Sequence, residues 1–434
     1  MEFVKFDLTR KGKPFKVLNG TNGGPWHKRH TKGQFRTNFE EYKAAKIPFQ
    51  RNHDSGMVSI YGGPYSYDVS HIFTNFDADV NDPASYDFTC TDEAIAISYE
   101  AGTELFYRLG ETIEHQIKPR KTLPPKDFKK WAQICEHIIM HYNEGWADGF
   151  HYNIQYWEIW AEPDLSYPEE RPDKPTWGGT QAEFFDFYEI AAKYLKERFP
   201  NLKIGGPALV PKLAWTEAFF IEMGKRNVPM DFFSWHLYGT EPEKMYEKAD
   251  LMKQYMTQGG YNVPSILDEW NYCGADFVKS LEAIRSEKGA SYMMACISGA
   301  QTCPNIDMLM YYDTRPGVWC GAFDYITWKP IKGYYPLAWY SNFYELECDV
   351  ECTEAPDKVY TLCGVDKEGK VMAIVTHYSD DDETEAKDIK VTFGREGTYE
   401  IYRVDKDHNG ELVATTSDLT FNMLVHSFIL IKEI

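Results

Sequence analysis

Two acidic positions carry the chemistry this sequence offers. Gln155-Tyr-Trp-Glu-Ile-Trp-Ala-Glu-Pro-Asp164 reads as an aromatic strand that stops at Glu162, because Pro163 fixes its own φ and lacks the N–H a sheet ladder needs. Pro264-Ser-Ile-Leu-Asp-Glu-Trp-Asn271 repeats the plan, a short apolar strand reaching Asp268 and Glu269. Carboxyl groups at two strand ends suit cleavage of a glycosidic bond, one donating a proton to the leaving oxygen while the other attacks. Aromatic neighbours suit Glu162 to the proton donor's role; Glu269 must stay ionised, a form that Tyr238 or Arg108 would stabilise. Strand alternation places Glu158, Trp160 and Glu162 on one face, with Trp157, Ile159 and Ala161 on the other. Glu158 then faces inward and needs a partner, for which Arg108 is the candidate.

Positioning such a pair requires a scaffold whose strands end at one mouth. Strands are expected at 15–20, 47–54, 103–110, 155–162, 203–207, 231–238, 264–271 and 306–313. Helices at 39–46, 91–100, 125–142, 183–198, 216–224, 241–256, 290–302 and 334–344 alternate with them. Eight strand-then-helix units predict an α/β (β/α)8 TIM barrel over 14–345, whose site lies at the C-terminal strand ends. After Leu346, short apolar runs at 359–365, 371–376, 389–393, 399–404 and 428–431 predict an antiparallel β-sandwich over 346–434, to which residues 1–13 would add a strand. The long segments 55–89 and 167–179 are expected to wall the mouth, and the acidic run 380–385 to be a solvated loop.

The net charge of -20 argues against nucleic-acid and anionic-membrane partners, which need clustered Lys and Arg. No apolar run reaches the ~20 residues of a membrane span. The start, Met1-Glu-Phe-Val-Lys-Phe-Asp-Leu, lacks a signal-peptide pattern, and nine scattered cysteines read as free thiols, so a cytoplasmic protein is expected. No residue set has convincing metal spacing and no Gly-rich phosphate loop occurs, so neither metal nor organic cofactor is expected.

Trp157-Glu-Ile-Trp-Ala-Glu-Pro-Asp164 resembles the Asn-Glu-Pro motif on the fourth strand of clan A retaining glycoside hydrolases. Supporting pieces are Val17-Leu-Asn-Gly20, Arg51-Asn-His-Asp54, Phe106-Tyr-Arg-Leu-Gly110, Ser234-Trp-His-Leu-Tyr238, Leu267-Asp-Glu-Trp-Asn271 and Lys329-Pro-Ile-Lys-Gly-Tyr-Tyr335. Together they look most like glycoside hydrolase family 39, with its β-xylosidases and α-L-iduronidase. The resemblance implies Glu162 as acid/base, Glu269 as nucleophile, a glycoside as substrate and an oligomeric assembly. It also implies sugar-binding or nucleophile-orienting roles for His53, His236 and Tyr238, with Asp54 beside them. Trp160, Trp270 and Trp319 would stack on sugar, or else fill the core; Arg108 would bind at the site or pair structurally. Glu111, Glu114 and His115 follow the third strand and are further candidates. One position departs from the pattern: Ala161 stands where the clan has Asn, whose amide bonds the sugar 2-hydroxyl. Altered recognition at the 2-position, an engineered substitution and a binding-only barrel without turnover all remain open.

Overall fold

The computed structural model describes residues 1–27, 36–53, 66–113, 122–166 and 175–434. Eight parallel strands close a barrel: β2 (Val17–Asn22), β3 (Phe49–Arg51), β4 (Glu104–Leu109), β5 (Tyr156–Ile159), β6 (Lys203–Leu209), β7 (Phe233–Gly239), β8 (Ser265–Tyr272) and β9 (Met308–Tyr311). The surrounding helices pack apolar faces against the barrel. In α4 (Phe128–Asn143), Trp131, Ile134, Cys135, Ile138 and Tyr142 face inward, with Asp127 accepting from the Lys130 N–H as N-cap. A capping box between Thr180 and Glu183 starts α5 (Gln181–Arg198). A Cβ on Gly205 would lie 2.3 Å from the Phe232 carbonyl oxygen, so only glycine lets β6 approach its neighbour that closely.

Between β8 and α9 (Glu287–Thr302), α8 (Phe277–Ile284) is a helix the sequence pattern did not separate, capped by the Asp276 carboxylate on the Lys279 N–H.

The remaining strands form one nine-stranded sheet rather than a purely antiparallel sandwich. In it β1 (Glu2–Lys11) lies between β10 (Cys348–Glu354), to which it is antiparallel, and β13 (Lys387–Thr392), to which it is parallel. The sheet is mixed because β1 arrives from the other end of the chain, free of the hairpin connections that force neighbours to alternate. It curls around its own core, which includes Val4, Phe6, Val375, Ile389, Ile401 and Ile431. The acidic run is not wholly solvated: Asp380 accepts from the Tyr272 hydroxyl at 2.7 Å, and Lys288 Nζ lies 2.7 Å from Asp382. Among the described residues no helix is long and apolar enough to cross a membrane.

Candidate active site

Glu269 stands at the barrel mouth, almost fully buried, in a ring of donors. Tyr238 donates its hydroxyl to Oε1 at 2.6 Å, His53 Nε2 lies 3.1 Å from Oε2, and Arg51 Nη1 donates to Oε2 at 3.4 Å. Burial opposes the charge on Glu269, but His236, His53 and Arg51 outweigh it and hold the carboxyl well below the usual carboxylate range. Burial, reinforced by the Glu269 charge, pushes the Tyr238 phenol well above its ordinary value, so it remains a donor.

Glu162 is reached differently. Regular strand ends at Ile159, and Trp160 and Glu162 both take left-handed backbone, φ 71° and 50°. The Glu162 N–H donates to the Ala208 carbonyl at 2.8 Å, and Thr176 Oγ1 donates to the Glu162 carbonyl at 2.6 Å. Its side chain keeps 12% exposure, and Oε1 is hydrogen-bonded to His236 Nδ1 at 2.6 Å. Donor atoms of Glu162, His236 and Glu269 lie within 4.8 Å of one another, the one such group of three among the described residues with the ligand types for a metal ion. His236 is engaged there by its protein neighbours: Nδ1 meets Glu162 and Nε2 lies 3.5 Å from Asp268.

Beneath the pair is a floor of buried charge. Arg51 Nε lies 2.8 Å from Glu158 Oε2 and 3.0 Å from Asp268 Oδ2, all three side chains fully buried, and Arg51 Nη1 donates to Asn22 Oδ1 at 3.0 Å. Ser234 Oγ donates to Glu158 Oε1 at 2.5 Å. Burial and the Glu158 charge push the Asp268 carboxyl well above its usual range; Glu158 is lowered despite its burial, chiefly by Arg51. The two carboxyls are thus pushed in opposite directions around the one Arg51 guanidinium. Strand alternation alone would put Asp268 and Glu269 on opposite faces, but an irregularity in the β8–β9 pairing between Leu267 and Trp270 lets both reach inward.

The other sequence candidates separate cleanly. Arg108 is the register neighbour of Glu158, but its guanidinium bonds elsewhere: it donates from Nη2 to the His53 carbonyl at 2.9 Å and from Nη1 to the Glu111 carbonyl. The expected Arg108–Glu158 pair is thus replaced by Arg51–Glu158, since Arg51 on β3 points into the barrel floor. Trp160 lies in the core rather than over the mouth, its ring 5.2 Å from Trp177 and its Nε1 donating to the Thr176 carbonyl. Trp270 is fully buried on the helix side, against Tyr311 and Tyr292. The left-handed turn moves Trp160 off the face that alternation assigned it, whereas Trp270 directly follows the inward-facing Glu269 and so alternates onto the outer face. Trp319 does reach the mouth, with its ring 5.3 Å from Tyr238 and 6.3 Å from Tyr312. Ala161 is buried next to Glu162 and offers no polar atom beyond its backbone. Glu111 accepts from Ser70 Oγ at 2.6 Å. Asp54, Glu114 and His115 lie outside the described residues.

Sequence reasoning assigned no role to Asp268 or Asn22, and noted Arg51 only as a residue of a strand-end motif. At the end of β9, Asp313 was likewise passed over. Burial pushes its carboxyl up to about 6, with Arg315 and His53 acting the other way. A recess beside these groups is lined by Gly23, Gly24, Trp26, His53, Tyr67 and Arg315.

The model of glycosyl hydrolases family 39 matches residues 40–269, more than half of the chain and both glutamates. The chain belongs to glycosyl hydrolase family 39. A β-xylosidase of Caldicellulosiruptor saccharolyticus is 28% identical over 228 residues, 47% of this chain and 43% of that protein. The chain thus spans less than half the length of that curated relative. Among solved structures, a glucosidase from Croceicoccus marinus superposes with a TM-score of 0.81 at 19% identity, covering 100% of this chain and 98% of the other. A family 39 β-xylosidase from Caulobacter crescentus gives 0.68 at 15% identity, with both chains covered in full. At these identities the superpositions establish the shared fold of barrel and appended sheet.

Proposed function

We propose that this family 39 chain is a retaining, exo-acting glycoside hydrolase of β-xylosidase type, with Glu162 as acid/base and Glu269 as nucleophile. The observation that carries the reading is the carboxylate pair, with donor oxygens within 4.8 Å and one member held ionised by surrounding donors. Retaining enzymes keep their carboxyl groups ~5–5.5 Å apart, whereas inversion needs ~6.5–9.5 Å to admit a water.

In the first step Glu269 attacks the anomeric carbon while Glu162 gives its proton to the departing oxygen, leaving a glycosyl ester on Glu269 and a free alcohol. In the second, Glu162 takes a proton from water, which attacks the same carbon and releases Glu269 as carboxylate. Tyr238, His53 and Arg51 stabilise that carboxylate each time it is free, so it is both a steady nucleophile and a good leaving group. His236 bridges the two glutamates and orients Glu162. Exo action is supported by the packing of residues 66–72 and 175–179 around the mouth. There Ser70 holds Glu111 and Thr176 holds the Glu162 carbonyl.

Ala161 favours a second reading, a carbohydrate-binding barrel without turnover, because the transition state loses its amide contact to the 2-hydroxyl. Proton NMR of an aryl β-xyloside digest decides between them. A first-formed β-anomer is expected; an α-anomer would refute the retaining assignment. Binding of xylose without hydrolysis of any glycoside would favour the second reading.

A further inference from the structure

The mouth carries an apolar surface that the chemistry above does not use. Phe277, Val278, Val318, Tyr325 and Ile326 are 51%, 65%, 55%, 49% and 54% exposed. They lie on the segments that follow β8 and β9, and they are tied into one patch. Phe277 meets the Trp319 ring edge-on at 5.5 Å, and Arg285 Nη2 donates to the Val318 carbonyl at 3.1 Å. The Arg285 guanidinium also lies 4.7 Å from the Tyr325 ring centre. The Asp324 carboxylate fixes the turn under Ile326 by accepting the N–H groups of Ile326 and Thr327 at 3.1 and 2.6 Å. Single exposed apolar side chains are ordinary, but a contiguous group of this kind marks a binding surface.

Its occupant follows from where it begins. Trp319 belongs to both surfaces: one neighbour is Phe277, and the other, 5.3 Å away, is Tyr238, whose hydroxyl holds the nucleophile. An unbroken row of rings thus leads from Glu269 to the patch. A second sugar would ask for free hydrogen-bonding groups along this row, and the charged side chains built into it are engaged, Arg285 by Val318 and Tyr325 and Asp324 by the N–H groups of Ile326 and Thr327. Five side chains are also far fewer than the ~20–30 residues a side of a stable protein interface.

We propose that this patch is a platform for the apolar leaving group of the substrate, an aryl or alkyl aglycone that crosses Trp319 and lies on Phe277, Val278, Val318 and Ile326. The proposal rests on the glycosidase reading and assigns the substrate class: a glycoside of a hydrophobic alcohol or phenol rather than an oligosaccharide.

The test is a series of 4-alkylphenyl β-D-xylosides, from methyl to hexyl, whose phenols have nearly the same acidity. The platform predicts that kcat/KM rises about two- to fourfold per methylene until the patch is covered, full burial of a methylene corresponding to about fourfold. Phe277→Ser and Ile326→Ser should each flatten that slope, and exposed positions of this kind leave folding intact, which circular dichroism checks. A flat series with clear turnover overturns the platform and leaves the glycosidase reading standing. Failure to hydrolyse any xyloside or other aryl glycoside overturns both. Sedimentation velocity covers the remaining case: an oligomer that dissociates on Val278→Asp would show that a second copy occupies the patch and would overturn the proposal.

Discussion

Replacing Tyr238 by Phe removes one atom and isolates the steering of the nucleophile. The ring contacts with Trp319 and Tyr312 stay, while Glu269 Oε1 loses a 2.6 Å donor. Oε2 keeps His53 and Arg51, so the carboxylate is held by one oxygen and can turn away from the anomeric carbon. A hydrogen bond to a charged group contributes ~1.5–3 kcal/mol, and every 1.36 kcal/mol is tenfold in rate, so kcat/KM should fall about 10- to 150-fold. KM for a 2,4-dinitrophenyl glycoside should change little, because the lost contact is to the enzyme's own nucleophile. The carboxyl of Glu269 is lowered partly by its neighbours, so removing a donor raises it and moves the acid limb of the pH profile upward. Stopped-flow and steady-state rates across pH measure both effects. A change under threefold with an unmoved acid limb would refute the idea that Tyr238 orients and stabilises Glu269.

Two further predictions concern neighbouring positions. Because Ala161 has no amide, removing the sugar 2-hydroxyl should cost the wild type little; in Ala161→Asn the preference for 2-hydroxy over 2-deoxy aryl glycosides should grow by about tenfold, one hydrogen bond's worth. An unchanged preference would mean that the 2-position is read elsewhere. Asp164 is buried and accepts the N–H groups of Val210 and Lys212 at 2.9 and 3.0 Å, and burial pushes its carboxyl up to about 6. A native value raised above the unfolded one stabilises the fold at low pH, and that contribution is lost as pH rises through about 6. Two units correspond to roughly 3 kcal/mol as an upper bound. The melting temperature of wild type relative to Asp164→Asn should therefore decline between about pH 4 and 6, and a pH-independent difference would contradict it.

The barrel was legible because its strands and helices repeat a periodicity that burial enforces. The two glutamates were legible because each follows a short apolar run, although β5 stops at Ile159 before Glu162 and β8 continues past Glu269 to Tyr272. What the sequence hid came from departures from that periodicity. Left-handed backbone at Trp160 and Glu162 breaks the alternation that would have put Trp160 at the mouth. The pairing irregularity in β8 turns Asp268 inward beside Glu269, so the buried floor with Arg51 and Glu158 emerged only in three dimensions. In the appended sheet, β10 and the exposed strands β15 (Asn409–Thr416) and β16 (Thr420–Met423) escaped notice. In β15 no residue is buried and its apolar residues, Leu412, Val413 and Ala414, are consecutive, so no apolar alternation marks it. Residue type alone made Arg108 a plausible partner for Glu269 or Glu158; only geometry shows it bound to backbone carbonyls.

In the proposed mechanism Glu269 becomes covalently glycosylated. Intact-protein mass spectrometry after incubation with a 2-fluoro aryl β-xyloside, followed by peptide mapping, tests it most directly, with a xylose-configured epoxide or aziridine probe alongside because Ala161 alters the 2-position. One equivalent of sugar is expected on the peptide containing Glu269, absent in Glu269→Gln. A label on another residue, or turnover of the glycosides without any adduct on Glu269, would contradict it.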